Sequence, residues 1–134
     1  MLTSTLSSDL GRREDGPINL AVGIEFCTGV SIIRCQGRIT YGPEACFLSE
    51  QLSRLVSASD QLILDLDGVV AMDSAGLGEL ALMVTRAEMA GCSIRVSAPR
   101  ANIRRLLELT NLSTILEIYP TFNDALEACR QSAW

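Results

Sequence analysis

The 134-residue sequence contains neither histidine nor lysine, and all eleven of its basic residues are arginine. The lack of histidine excludes Ser–His and Cys–His nucleophile pairs and histidine-based metal sites. The lack of lysine excludes the P-loop and Schiff-base chemistry. Few common enzyme mechanisms remain after these two losses. We therefore expect a binding protein that is not an enzyme and that uses no cofactor and no metal.

Aromatic residues are also scarce: they make up 4% of the chain, whereas hydrophobic residues in all make up 48%. The chain has the length of one domain with its own core, and that core must be built from aliphatic side chains. The formal net charge is −5, and the basic pairs are Arg12–Arg13 and Arg104–Arg105. This charge balance argues against nucleic acid or an anionic membrane as the main partner.

The five cysteines are an odd number, widely spaced and without a CxxC pair. They are typical of small buried residues in a reducing compartment rather than of a disulfide framework or a zinc site. The N-terminus has no apolar segment of signal-peptide length, and no run approaches the ~20 apolar residues of a membrane span. We therefore expect a cytoplasmic protein that does not insert into a membrane.

Residues 1–16 are rich in Ser and Thr, charged and aperiodic, which predicts a disordered tail followed by one domain over residues 17–134. In the domain, strand-like and helix-like patterns alternate. The predicted strands are Ile18–Phe26, Val30–Gln36, Gln61–Leu66, Ile94–Ser97 and Leu116–Tyr119. The predicted helices are Glu44–Ser57, Ser74 to about Ala90, one opened by Ala98–Pro99, and one after a capping box at Thr121 and Asp124. This order predicts an α/β fold with a largely parallel sheet.

The segment LILDLDGVV resembles the DxDGV motif of haloacid-dehalogenase-type phosphatases, in which Asp65 would be the nucleophile and Asp67 the acid. That chemistry also needs a cation, usually lysine, to hold the phosphate and an acidic pair to hold Mg²⁺. The chain has no lysine, and its later acidic residues are isolated. We therefore interpret Asp65 as part of a strand and Asp67–Gly68 as a turn.

The most informative segment is Met72–Leu80, at the start of the long second helix. Asp73 or Ser74 can cap this helix by accepting backbone N–H bonds. Gly76 and Gly78 are poor helix formers, so their presence in the first turns suggests that a neighbouring backbone or a partner packs closely there. The simpler interpretation is a well-capped helix in which Ser74 has no further role.

The helical spacing places a buried stripe on Leu77, Leu80, Ala81, Val84 and Ala87. Leu82 and Met89 lie outside that stripe. They either contact the next helix, which the pattern slightly favours, or form an exposed apolar patch for a partner.

Over roughly residues 30–128 the sequence resembles a STAS domain, the fold of bacterial anti-sigma-factor antagonists. The resemblance is carried by LILDLDGVVAMDSAGLGEL, GCSIRVSAP and IRRLLELTNLSTILEIYPTFNDAL. It implies a mixed, largely parallel sheet of about five strands with helices mainly on one face. It also implies that Ser74 is phosphorylated by the kinase activity of an anti-sigma factor. Where the family often has G-E-L-D, this chain has Gly37–Arg38–Ile39–Thr40. From the resemblance together with the glycines and the faces of this helix, the expected partner-binding residues are Arg38, Thr40, Asp73, Ser74, Ala75, Gly76, Gly78 and Leu82.

The resemblance implies a binding domain that sequesters an anti-sigma serine kinase while Ser74 is unphosphorylated and so regulates sigma-factor-dependent transcription. A phosphatase acting on phospho-Ser74 would restore the binding form, and a homodimer is left open. The alternative is a scaffold or accessory subunit of a stress-signalling complex or of a membrane transporter.

Overall fold

The computed structural model describes residues 2–7, 12–13, 16–17, 19–27 and 29–132. In chain order the strands are β1 (Leu2–Ser7), β2 (Arg12–Arg13), β3 (Gly16–Pro17), β4 (Leu20–Cys27), β5 (Val30–Ile39), β6 (Gln61–Met72), β7 (Ser93–Ser97) and β8 (Glu117–Tyr119). The helices are α1 (Pro43–Val56), α2 (Ser74–Met89), α3 (Ala101–Leu109) and α4 (Phe122–Ser132), and a 3-10 turn spans Leu112–Thr114.

The main sheet is mixed and has the strand order β1-β4-β5-β6-β7-β8. The pairs β5–β6, β6–β7 and β7–β8 are parallel, whereas β4 is antiparallel to β5 and β1 is antiparallel to β4. The α/β class and the largely parallel sheet predicted from the sequence are confirmed. The five predicted strands correspond to β4, β5, β6, β7 and β8.

The tail predicted to be disordered, residues 1–16, contains backbone that the structure describes. β1 pairs with β4 from Leu2↔Cys27 to Ser7↔Gly23, and β2 pairs with β3. Backbone pairing at a sheet edge does not depend on apolar periodicity, so the pattern in the sequence did not exclude a strand there. Residues 1, 8–11 and 14–15 lie outside the described residues, and the domain boundary at residue 17 stays a prediction.

The helices pack mainly on one face of the sheet, as predicted. On that face α1, α2 and α3 bury aliphatic side chains against alternate residues of β4, β5, β6 and β7, among them Leu48, Leu52, Leu77, Leu80, Ile103 and Leu107. On the other face α4 buries Ala125 and Cys129 against a smaller cluster. The predicted cap of α4 is present, because Thr121 Oγ1 accepts a hydrogen bond from the Asp124 amide at 3.1 Å.

The turn predicted at Asp67–Gly68 is wrong, because both residues lie inside β6. A Cβ at Gly68 would lie 2.7 Å from the carbonyl oxygen of Cys35 and 2.6 Å from Gln36 Cγ. Glycine is needed here for a close approach of two strands at an irregularity of the β5–β6 ladder, and not for a turn. The strand therefore continues beyond Leu66 and carries the chain to Asp73.

Candidate functional site

The site lies where β6 ends and α2 begins, and Asp73 organises it. Asp73 is the N-cap of α2, and its Oδ1 accepts a hydrogen bond from the Gly76 amide at 2.7 Å. Its Oδ2 accepts one from the Tyr41 amide at 3.0 Å. The sequence allowed either Asp73 or Ser74 as the N-cap of α2, and in the structure the N-cap is Asp73. One carboxylate thus joins the start of α2 to the loop after β5.

The two amide donors also act on the ionisation of Asp73. The hydrogen bond from Tyr41, followed by that from Gly76, lowers the pKa of this carboxyl below its ordinary value. A carboxyl whose pKa is lower in the folded than in the unfolded state contributes stability above its unfolded pKa of about 3.9. That contribution is lost as the pH falls through the folded value.

We predict that Asp73→Asn lowers the unfolding midpoint by roughly 1–4 °C at pH 7, because a negative charge at a helix N-terminus is lost. The difference from wild type begins to shrink as the pH falls below the unfolded pKa of about 3.9, and it is lost as the pH falls through the lower pKa of Asp73 in the folded protein. Thermal unfolding of both proteins between pH 7 and pH 3 measures this. Asp60→Asn, at an exposed carboxylate before β6, is the matched control. A difference that stays constant over this range would contradict the role of the charge.

Ser74 is the first residue of α2, and its side chain is exposed. Since Asp73 makes the capping bond, the hydroxyl of Ser74 is not needed for the helix start. Among the described residues we find no hydrogen-bond partner for Ser74 Oγ. Ser74 therefore presents a free hydroxyl to solvent at the N-terminus of a helix.

The two glycines of the motif have different environments. Gly76 is buried, and a Cβ there would lie 2.3 Å from the carbonyl oxygen of Ile39, the last residue of β5. The close packing inferred for Gly76 is therefore with a neighbouring backbone. Gly78 is exposed, and a Cβ there would meet nothing within 4 Å. Of the two glycines, therefore, Gly78 is open to a partner and Gly76 is not, and Ala75 between Ser74 and Gly76 is also exposed.

Arg38 and Thr40 lie at the end of β5, next to the start of α2. In the parallel ladder Arg38 pairs with Ala71, and the next pair joins β5 to Met72, the residue before Asp73. Arg38 is exposed, whereas Thr40 is half-buried and donates a hydrogen bond to Glu44 Oε1 at 3.3 Å. Both predicted residues are therefore near Asp73, but the Thr40 hydroxyl already has a partner.

The outer face of α2 is exposed and partly apolar. Leu82 is 43% exposed and Met89 is 84% exposed. The favoured expectation that they meet the next helix is wrong, and the alternative of an exposed patch holds. The buried stripe includes Met83, whereas Ala81 is half-buried, so the buried face of α2 is rotated toward Met83 relative to the predicted stripe.

Sequence reasoning missed two residues of this surface. Tyr41 is 78% exposed, and its amide donates a hydrogen bond to Asp73. Val70 is 48% exposed on β6. Tyr41 reaches Asp73 only because β5 and β6 pair in parallel, and no local pattern marks Tyr41 or Val70.

Two further features concern only the part of the chain that the structure describes. There, no group of three or more Cys, Asp or Glu side chains could hold a metal ion. None of the helices in those ranges has the length and apolarity that crossing a membrane requires.

Comparison with known proteins gives a consistent result. The STAS domain family model matches residues 22–125. An anti-sigma factor antagonist from Mycobacterium paratuberculosis, known from a crystal structure, is 29% identical in sequence and superposes with a TM-score of 0.75. The superposition covers 83% of this chain and 94% of that protein. The phosphorylated form of the Bacillus cell fate determinant SpoIIAA shares the fold at 17% identity, with a TM-score of 0.64 over 81% of this chain and 99% of its own.

A curated Thermotoga maritima protein, proposed by its name to be an anti-sigma factor antagonist, is 31% identical over 72 residues. The alignment covers 54% of this chain and 64% of that relative, so the chain spans less than two thirds of its length.

Proposed function

Because the chain belongs to the STAS domain family, we propose that it is an anti-sigma-factor antagonist controlled by phosphorylation of Ser74. In this proposal the unmodified domain binds an anti-sigma factor that has serine kinase activity, and so releases a sigma factor in the cytoplasm. The kinase transfers a phosphoryl group from ATP to Ser74 Oγ, the hydroxyl proton leaves to a base of the kinase, and ADP departs. A phosphatase restores the binding form by hydrolysis.

The observation that carries this proposal is the free, exposed hydroxyl of Ser74 at a helix start that Asp73 already caps. A phosphate there adds roughly −1.5 to −2 charges where the helix dipole favours an anion. The fold is therefore expected to tolerate the modification, and the change falls on the surface that a partner meets. Of the structurally similar proteins, SpoIIAA is known in a phosphorylated form.

The exposed face of α2 supports a partner surface that includes Ser74. At 100° per residue, Ser74, Gly78, Leu82, Thr85 and Met89 fall within a sector of about 80°, and all five are exposed. Exposed apolar side chains in line with a modification site are typical of an interaction surface. A phosphate on Ser74 would lie at one end of this stripe, where a docked partner would have to desolvate or repel it.

The test is phosphopeptide mapping after the purified chain is incubated with the cognate kinase and ATP. We expect phosphate on Ser74 and none on a Ser74→Ala variant. Ser97, which is fully buried, serves as an internal control that a kinase cannot reach in the folded protein. Modification mainly at other serines would contradict the switch. Stable co-purification with a large complex, without phosphate transfer, would favour the scaffold or accessory-subunit alternative.

A further inference from the structure

Among the described strands, the second half of β6 has a neighbour on one side only, which is β5. β6 and β7 pair from Gln61↔Ser93 to Asp65↔Ser97, and β6 then continues as Leu66–Met72, the β6 extension, beside β5. The ladder to β5 is irregular there, with register shifts on both sides of Gly37. An irregular strand with one neighbour is expected to open more easily than a central strand. Yet this segment leads directly into Asp73 and Ser74.

Two side chains from the start of α3 replace the missing neighbour. Arg100 Nε donates a hydrogen bond to the carbonyl oxygen of Asp67 at 2.8 Å. Asn102 Nδ2 donates one to the carbonyl oxygen of Val70 at 3.1 Å. The bonds satisfy two carbonyl groups in the part of β6 that lies beyond its pairing with β7. They join segments more than 30 residues apart, so they form only when the domain has folded.

The local structure around Arg100 does not explain these residues by itself. Arg100 is the N-cap of α3, but its side chain makes no capping bond. Ser, Thr, Asp or Asn would be preferred there. The chain reaches this position through Ala98, whose φ of 54° lies in the left-handed region that a Cβ disfavours. A poor cap after an unfavourable turn suggests that Arg100 acts on its neighbour rather than on its own helix.

We propose that Arg100 and Asn102 are positioning residues, which fix the β6 extension and through it hold Asp73 and Ser74 in the arrangement that the partner binds. The inference has two halves. The functional half, the effect on partner binding, rests on the proposed function, whereas the structural half, the effect on the β6 extension, can be tested on the isolated chain. Neither residue needs to contact the partner for this effect.

Hydrogen–deuterium exchange of the full chain tests the structural half. In Arg100→Ala and Asn102→Ala we expect the amides of Val69–Met72 to exchange roughly two- to tenfold faster for each lost bond. The near-isosteric Asn102→Asp, which puts an oxygen where the donor was, should have at least the same effect. The amides of β7 should change less, and the unfolding midpoint should fall by a few degrees, about 5 °C at most. The control is Arg105→Ala, at an exposed arginine of the same helix.

Unchanged exchange of the β6 extension would overturn the proposal, as would equally faster exchange throughout the sheet. Calorimetry with the anti-sigma kinase tests the functional half, and the dissociation constant should rise by a similar roughly two- to tenfold factor. Faster local exchange with unchanged affinity would overturn the positioning of Ser74. If the wild-type chain itself binds no kinase, the proposed function fails. That outcome can be distinguished from failure of the structural half, because the exchange experiment does not depend on kinase binding.

Discussion

Ser74→Asp and Ser74→Glu are expected to weaken binding of the kinase partner by at least about tenfold while leaving the unfolding midpoint nearly unchanged. Ser74→Ala is expected to keep both binding and fold. The effect on binding is large because a carboxylate at a docking surface must be desolvated or repelled, which commonly costs several kcal/mol. A carboxylate has less charge than a phosphate, so it should reproduce the phosphorylated state in part.

The effect on folding is small for separate reasons. A negative charge at a helix N-terminus contributes about 0.3–1 kcal/mol in the favourable direction. Loss of the Ser74 hydroxyl removes no capping bond, since Asp73 makes it. Both changes are minor beside a domain stability of about 5–15 kcal/mol.

Calorimetry with the purified partner, together with thermal unfolding, measures the two effects separately. Ser113→Asp is the matched control, because Ser113 is an exposed serine in the 3-10 turn after α3. It adds the same charge away from the start of α2 and should bind like wild type. Acidic variants at residue 74 that bind as tightly as wild type would show that charge at this position is not the switch.

Gly76→Ala and Gly78→Ala should change stability in opposite directions, although the two positions are two residues apart on one helix. The Cβ of Gly76→Ala would overlap the carbonyl oxygen of Ile39 at 2.3 Å and approach Asp73 Oδ1 at 3.3 Å. Overpacking of this kind costs about 1–3 kcal/mol. We therefore expect a midpoint lower by about 4–12 °C.

In Gly78→Ala the new Cβ meets nothing within 4 Å, so only the helix propensity changes. Alanine is favoured over glycine in a helix by up to about 1 kcal/mol, and the midpoint should rise by a few degrees, about 4 °C at most. The pair is its own control for the substitution. Equal midpoints for both variants would show that the approach to Ile39 has no cost.

The same pair separates packing from recognition. Gly76 is buried, so any loss of partner binding in Gly76→Ala should follow from a displaced helix start. Gly78 lies on the exposed stripe of α2, so weaker binding by a stabilised Gly78→Ala would place Gly78 in the interface.

Much of the fold follows from local patterns in the sequence. The order of strands and helices, the start of α2 at Asp73–Ser74 and the cap of α4 at Thr121 all depend on residues within one or two turns of each other. Such signals depend on hydrogen bonds and apolar periodicity along the chain, and both can be recognised without neighbours. The family resemblance has the same origin, since the motif around Ser74 is contiguous.

The tertiary structure decided what depends on segments far apart in the chain. It joined Asp73, the cap of α2, to the amide of Tyr41, 32 residues earlier, and it required glycine at Gly76 and Gly68 through carbonyl groups of β5. It also left Leu82 exposed and extended β6 beyond Leu66. The sequence by itself therefore determined the family and the position of the candidate switch, Ser74. The surroundings of Ser74 were decided by the parallel pairing of β5 with β6. They could not be predicted from the sequence, because close approaches between distant backbones leave no periodic pattern in either segment.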